Sequence, residues 1–492
     1  MPRPIAARPL HAPHSIIASE EFPPLPSQTS QHAPPGTSCV FRATGGVSAS
    51  AIMRLPDELW VDILHHLRLH CFSNYIRLSL VNRKLYYLVR NSLYVRYDSY
   101  SKQAYPFMRT IMSNQELGKL VRYVHFSYLR PVNSWETNGK KYPPVDRKYF
   151  CPTITDKGIV KSALKALNIP KWRDWATDCN DAINASGQEV LYTTILMYAP
   201  NIEKLVIDYE EYSAYKPRFV DLFRWTVNGG RFGRVHRFSH LRFVRVHAGP
   251  IRIVRLAPIF KLPALRRLKL VDVKEWAGDR GKSLRELKRS LPPVGTCTLE
   301  CLTLDECHIG SDVIDILLQC IHSLRVFKHL LTGELDEVPD GPVLHYPTLS
   351  TSLLRFKNTL ERISLGAQLL YSSDVVQGQL GDLSEFTSIT HFQAPIEALA
   401  DLKCLEQYFV PENVSFLPKY FPPLAKTLII QFPECTAFAL TLVREGILNA
   451  QQQGLLPSVN KLKFWDSESI VSIGYYDGDS DDAEMESDET DE

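Results

Sequence analysis

The chain has no apolar run near the roughly 20 residues that cross a bilayer. The longest, Phe438 to Val443, is broken by a threonine. The first twenty residues carry Arg3, Arg8 and several Pro or His breaks but no apolar block, so a secretory leader is not expected. None of the ten cysteines forms a Cys-x-x-Cys pair, and no histidine pair completes a zinc pattern. Without a leader, disulfides are not expected either, and the cysteines read as free, mostly buried thiols. There is no Gly-x-Ser-x-Gly elbow and no His-Glu-x-x-His. Gly281-Lys282-Ser283 ends like a phosphate-binding loop, but the glycine required five positions earlier is Trp276, so it reads as a helix start. No catalytic constellation, metal site or cofactor is therefore expected, and the location expected is cytoplasmic and/or nuclear.

What is present is a chain of 492 residues, 45% of them hydrophobic and 22% charged, which is ample for a sizeable core and excludes bulk disorder. Net charge is +2, but residues 477–492 hold ten acids and no base, which leaves +12 on the rest. Residues 216–274 carry fifteen Lys or Arg against Asp221 and Asp272. A basic body with an acidic tail points to an acidic or polyanionic partner, or to a tail that screens the body. Residues 1–52, with nine prolines among the first fifty, read as a disordered arm, and 475–492 as a disordered acidic tail.

The pattern changes at Met53. In Leu55-Pro56-Asp57-Glu58-Leu59-Trp60, proline suits the first helical position and the acids suit the positive end of a helix. Leu59, Trp60, Ile63, Leu64 and Leu67 are placed on one face of this helix. Ser73 or Asn74 can cap a second helix with Ile76, Leu78, Leu80 and Val81, and Asn82 a third with Leu85, Leu88 and Val89. Three short helices cannot bury so much apolar surface among themselves, so part of it must meet something else.

Residues 54–97 resemble an F-box. The resemblance rests on Leu55-Pro56-Asp57-Glu58-Leu59, Ile63-Leu64, Leu78-Ser79-Leu80-Val81-Asn82-Arg83-Lys84 and Leu93-Tyr94. It departs at Leu85, where many members carry Trp, and in the looser link to Asn74. The resemblance implies docking to the Skp adaptor, and through it to a cullin, by Leu55, Pro56, Leu59, Ile63, Leu64, Leu80 and Val81.

Beyond residue 100 the pattern apolar-x-x-apolar-x-apolar recurs. It starts at Val121, Ile202, Leu241, Leu265 and Leu299, with weaker copies at Leu324, Leu360, Ile389, Ala425 and Val459. Each copy predicts a strand with one buried face, covered by an intervening helix, so that copies must stack. From Ile202 the starts are 39, 24, 34, 25, 36, 29, 36 and 34 residues apart, which is irregular, and an insertion is expected at about 130–187. This resembles a leucine-rich-repeat horseshoe. The expected fold is an α/β solenoid, with an F-box at 53–98 and an irregular leucine-rich-repeat-like domain at 99–474, similar to fungal-type F-box/leucine-rich-repeat receptors.

In such a repeat the strand residues between the buried ones face the concave side. They are Lys204, Phe243, Arg245, His247, Arg267, Lys269, Thr303 and Asp305, and the cations among them are expected to form a contiguous patch. The functional expectation is a non-catalytic substrate-recognition subunit of a Skp–cullin–F-box ubiquitin ligase, whose target is acidic or phosphorylated. The alternative is a repeat scaffold that binds nucleic acid or another polyanion. No membrane partner is expected.

Overall fold

The structure, a computed structural model, describes residues 56, 59–60, 63–64, 77–78, 81, 83–99, 104–128, 136–137, 140–141, 152–180, 185–209, 218–227, 232–249, 251–274, 280–331, 343–367, 376–399, 421–432, 437–454, 456–466 and 470–473. The arm at 1–52 and the tail at 475–492 lie outside these residues. The chain divides into two compact units, Met1–Val95 and Arg96–Glu492.

In the first unit, Leu59, Trp60, Ile63 and Leu64 are helical, and the Trp60 N–H donates to the Pro56 carbonyl at 3.2 Å, closing a first α-turn. Helix α1 spans Arg83–Val95. Its Leu85, Val89 and Leu93 recur every four residues and are buried.

The second unit is a twelve-stranded sheet whose strand order is the order of the chain. Its strands are β1 Arg96–Asp98, β2 Tyr123–Tyr128, β3 Lys204–Tyr209, β4 Phe243–His247, β5 Arg267–Val271, β6 Cys301–Asp305, β7 Val326–Leu331, β8 Arg362–Ala367, β9 His391–Pro395, β10 Thr427–Phe432, β11 Lys461–Asp466 and β12 Ile470–Ile473. Neighbours from β1 to β11 pair in parallel, as the pairing of β4 with β5 and of β5 with β6 illustrates, and β12 returns antiparallel on β11. The two edge strands do not pair, so the sheet is open.

All ten recurrent segments become strands that begin two residues after their first apolar residue, and each of those residues, from Val121 to Val459, is buried. Along each strand alternate side chains enter the core, among them Leu205 and Ile207, Leu268 and Leu270, and Ile363 and Leu365. Parallel neighbours need a crossover, and here most of the crossovers carry helices. They include α2 Ala104–Ser113, α3 Ile154–Leu167, α4 Trp172–Asn180, α5 Ala185–Met197, α6 Arg218–Val227, α7 Arg280–Ser290, α8 Ser311–Cys320, α9 Tyr346–Leu353 and α10 Ala437–Gln452. Gly281-Lys282-Ser283 lies in the first turn of α7, a helix start. The described part of the 130–187 insertion holds α3 and α4, which pack against each other. A capping box between Thr153 and Asp156 opens α3, and Arg109 of α2 bonds Asp156 at 3.0 Å. The five described cysteines not at a masked position, Cys179, Cys297, Cys301, Cys307 and Cys320, are free thiols, and all but Cys301 are buried.

Where the chain turns into each strand, one carbonyl accepts two N–H groups from the next strand's start. Arg242 O takes Arg266 N at 2.9 Å and Arg267 N at 3.0 Å, and Arg325 O takes Glu361 N at 2.8 Å and Arg362 N at 3.0 Å. The same double acceptance runs from Arg122 to Lys426. It satisfies backbone donors that would otherwise be stranded beside the core.

Among the described inward-facing strand positions, a histidine breaks the apolar rule. His329 of β7 takes the place of an aliphatic residue and is fully buried. Its Nε2 lies 3.2 Å from the Cys307 carbonyl, which needs a donor, so the ring is neutral with Nε2 protonated. Burial pushes its pKa from 6.5 down to about 4. A group depressed in this way stabilises the fold above its unfolded pKa and loses that contribution as pH falls. The thermal midpoint is therefore expected to drop between pH 6.5 and about 4, and His329→Gln, which retains a donor but does not titrate, should make that drop shallower in a pH-resolved melting series.

Candidate functional site

The first candidate surface lies on the helices of the first unit. Trp60 and Leu64 point inward, at 5% and 2% exposure, while Leu59 and Ile63 point outward at 47% and 38%. Each pair is spaced i, i+4, so this helix is apolar on two sides and not on the one face that periodicity suggests. Pro56 is exposed, Val81 is 66% exposed, and Tyr87 of α1 is 59% exposed. Of the seven residues expected to dock an adaptor, Pro56, Leu59, Ile63 and Val81 face outward and Leu64 faces the core. Leu55 and Leu80 lie outside the described residues. Tyr87 escaped the sequence reading because an apolar residue on a third helix is assigned to the core by default.

The second candidate surface is the sheet face opposite the buried side chains. All eight residues expected there are brought together. Lys204, Phe243 and Arg267 pair across β3, β4 and β5 in one row. Arg245, Lys269 and Thr303 form the next row, and His247 and Asp305 flank Val271 in a third. Most are half-exposed, and Thr303 is buried. The Lys204 Nζ stands 4.8 Å over the Phe243 ring.

The cations in this half of the sheet are interleaved with carboxylates. Arg245 lies 3.8 Å from Asp208, Lys269 2.9 Å from Asp305, and His247 3.6 Å from Asp272, which also holds Lys274 at 3.3 Å. A contiguous cationic patch is thus converted into a ladder of opposite charges. Asp98 and Asp272 were missed because they lie outside the repeated segments, and Asp208 because only Lys204 was taken from its strand. Asp272 adopts a left-handed backbone, φ 54°, just after β5.

His125 of β2 is held between two acids, with Nε2 2.8 Å from Asp208 and Nδ1 3.6 Å from Asp98. Burial lowers its pKa, but the bonds to Asp208 and Asp98 outweigh that and raise it from 6.5 to about 9. At neutral pH it is an imidazolium, one more cation in the ladder and not a proton acceptor. Beside these faces, a cleft of about 400 Å³ is lined by Leu318, Ile321, Arg355 and Phe356, and Arg355 is paired with Asp315 at 3.1 Å. Among the described residues no group of three His, Cys, Asp or Glu could hold a metal ion, and no helix is long and apolar enough to cross a membrane.

The raised pKa has a consequence for stability. A histidine whose folded pKa exceeds its unfolded value stabilises the fold fully below the latter and loses that contribution as pH rises through the former. The midpoint of unfolding is expected to fall between pH 6.5 and about 9. His125→Asn should abolish that part of the slope, as calorimetry across this window would register.

Residues 52–96 match the F-box domain family. No curated protein matches the chain. The match spans the first candidate surface and stops where the sheet begins. The chain therefore carries an F-box domain, the kind of module that generally binds the Skp adaptor, links it to a cullin, and belongs to non-catalytic adaptors of ubiquitin ligase complexes.

Proposed function

We propose that the protein is the substrate-recognition subunit of a Skp–cullin–F-box ubiquitin ligase. The observation that carries this reading is the outward apolar set Leu59, Ile63 and Val81, with Pro56 and Tyr87 beside them, in a domain that matches the F-box. Helices with a second apolar face are complete only when that face enters a partner's groove. The docking surface is thus Pro56, Leu59, Ile63 and Val81, joined by Leu55 and Leu80 from the same motif. Leu64 supports it from within.

The second unit, on this reading, is an irregular leucine-rich-repeat-like solenoid that presents the target. Its chain-ordered parallel strands, its doubly accepting carbonyls and its recurrent buried residues support that reading, as does a sheet face with half-exposed polar side chains. The protein then performs no chemistry of its own. It raises the effective concentration of the target near the ubiquitin-carrying partner and orients it. Such a complex operates in the cytoplasm or nucleus. The alternative, a scaffold for nucleic acid, is disfavoured by Asp98, Asp208, Asp272 and Asp305 on the same face, which repel a phosphate backbone.

Coexpression with the Skp adaptor tests the proposal. The full chain is expected to copurify with it. Each buried aliphatic contact contributes roughly 1.5–3 kcal/mol, so Leu59→Asp or Ile63→Asp should weaken association at least about tenfold. Both side chains are exposed, so far-ultraviolet circular dichroism of the variants should be unchanged. Failure of the wild type to copurify, or full retention by both variants, would refute the reading.

A further inference from the structure

The charge on the open sheet face is not evenly distributed. From β1 to β6 the cations stand next to Asp98, Asp208, Asp272 and Asp305, at the distances given above. From β7 to β11 the described open-face positions hold Lys328, Arg362, His391, Lys461 and Lys463 and no carboxylate. The nearest acid along the chain, Glu361, is held by Arg325 in a two-pronged pair at 2.9 and 3.0 Å. Three of these cations, Lys328, Arg362 and Lys463, have no ion-pair partner among the described residues, and all are half-exposed; the first two lie on adjacent strands. Six of the fifteen cations of the basic stretch at 216–274, Arg218, Arg224, Arg245, Arg266, Lys269 and Lys274, are ion-paired, whereas Lys328 and Arg362 lie on strands that no local excess of Lys or Arg marks.

The register puts these two groups around one spot. Lys328 pairs directly with Thr303 on one side and Ser364 on the other. Arg362 precedes Ser364 by two residues on β8 and so shares its face. Lys328 and Arg362 are thus diagonal neighbours, about 7–8 Å apart at the backbone, within reach of one another's long side chains. Thr303 and Ser364 are each 8% exposed, and Cys301 and Gly366 on the same strands are small. Short side chains make a floor, and the two cations rise from it. The Ser364 hydroxyl makes no side-chain hydrogen bond among the described residues. Burial raises the pKa of the neighbouring Cys301 thiol, and Lys328, Arg267 and Arg362 pull it the other way, all three being near enough to act on it.

We propose that Lys328, Arg362 and the Ser364 hydroxyl form a receptor for one phosphorylated side chain on an extended segment of a target protein. The inference rests on the reading of the open face as the target-binding surface and is independent of adaptor docking. A phosphate brings about −1.5 to −2 charges and three acceptor oxygens. Arg362 can take two of those oxygens side by side, and Lys328 and the hydroxyl can share the third. A carboxylate, with two oxygens, would leave a donor unmatched. A nucleic acid would run a continuous line of phosphates onto the carboxylates of β1 to β6. A polypeptide with one phosphate and mixed charges fits both halves, because the remaining ladder of opposite charges is matched by alternating acidic and basic side chains.

The test is fluorescence anisotropy with the full chain and a fluorescein-labelled pool of randomised peptides carrying a central phosphoserine, compared with the same pool carrying serine. The phosphoserine pool is expected to bind at least about tenfold more tightly. Lys328→Ala with Arg362→Ala should erase the difference, while Arg245→Ala, whose charge is already paired, should leave it intact. Neither Lys328 nor Arg362 holds the fold together, and an unchanged melting temperature would confirm that the double variant is folded. Equal binding of the two pools, or an undiminished difference in the double variant, would overturn the proposal. So would a peptide of residues 477–492 or a single-stranded RNA competing as well as the phosphoserine pool, since either would make the face a general polyanion surface. Ile63→Asp should bind the phosphoserine pool as the wild type does. Loss of peptide binding with intact adaptor copurification thus removes this inference alone.

Discussion

One-sided burial is the constraint on which the second unit depends. A single strand with its helix cannot shield the apolar side chains of its inner face, and it leaves backbone donors unpaired where the chain turns into the strand. Both deficits are met by the next strand in sequence. Leu268 and Leu270 are enclosed between β4 and β6, and the Arg242 carbonyl receives the two N–H groups that begin β5. Repetition of that arrangement goes with a strand order that is the chain order. It also dictates that the other face stays available, with residues two apart along each strand arranged in rows across the sheet.

On the proposed reading those rows carry the functional content. On β1 to β6 they hold a network in which His125, Arg245, His247 and Lys269 each meet an aspartate. On β7 to β11 the described open-face positions hold no carboxylate. The described face is thus uneven, ion-paired along β1 to β6 and cationic beyond. In the first unit the corresponding imbalance is apolar. Leu59 and Ile63 lie outside while Trp60 and Leu64 lie inside, and the helix that bears them needs a second hydrophobic surface. On the proposed reading, the two imbalances, one greasy and one charged, serve an adaptor that joins a ligase core to a target.

Much of this was legible in the sequence. The motif around Leu55 to Tyr94 pointed to the F-box, and the ten apolar starts each led to a strand, even the weak copies at Leu324 and Ala425, because a buried first residue and period-two alternation are local features. The eight open-face residues also fell together, since alternation alone decides which side chain faces outward. What was not legible depends on contacts between segments distant in sequence. Asp208 neutralises Arg245 only because β3 lies beside β4, and Asp305 neutralises Lys269 only because β6 lies beside β5. A count of charges along residues 216–274 could not anticipate this. Nor could periodicity tell that Leu59 and Ile63 face away from Trp60 and Leu64, because a helix with two apolar sides looks like one with a single broad face. His329 occupies a core position that the pattern reserves for aliphatic residues, and only the Cys307 carbonyl brought near it by the fold explains the exchange.

Amide hydrogen exchange of the full chain, alone and with the Skp adaptor, probes the central claim most directly, because it reports where a partner covers the backbone. The account predicts slowed exchange in the helices that carry Leu59, Ile63, Val81 and Tyr87, with the sheet strands β3 to β9 unchanged. Protection confined to the sheet, with those helices exchanging as fast as before, would contradict it.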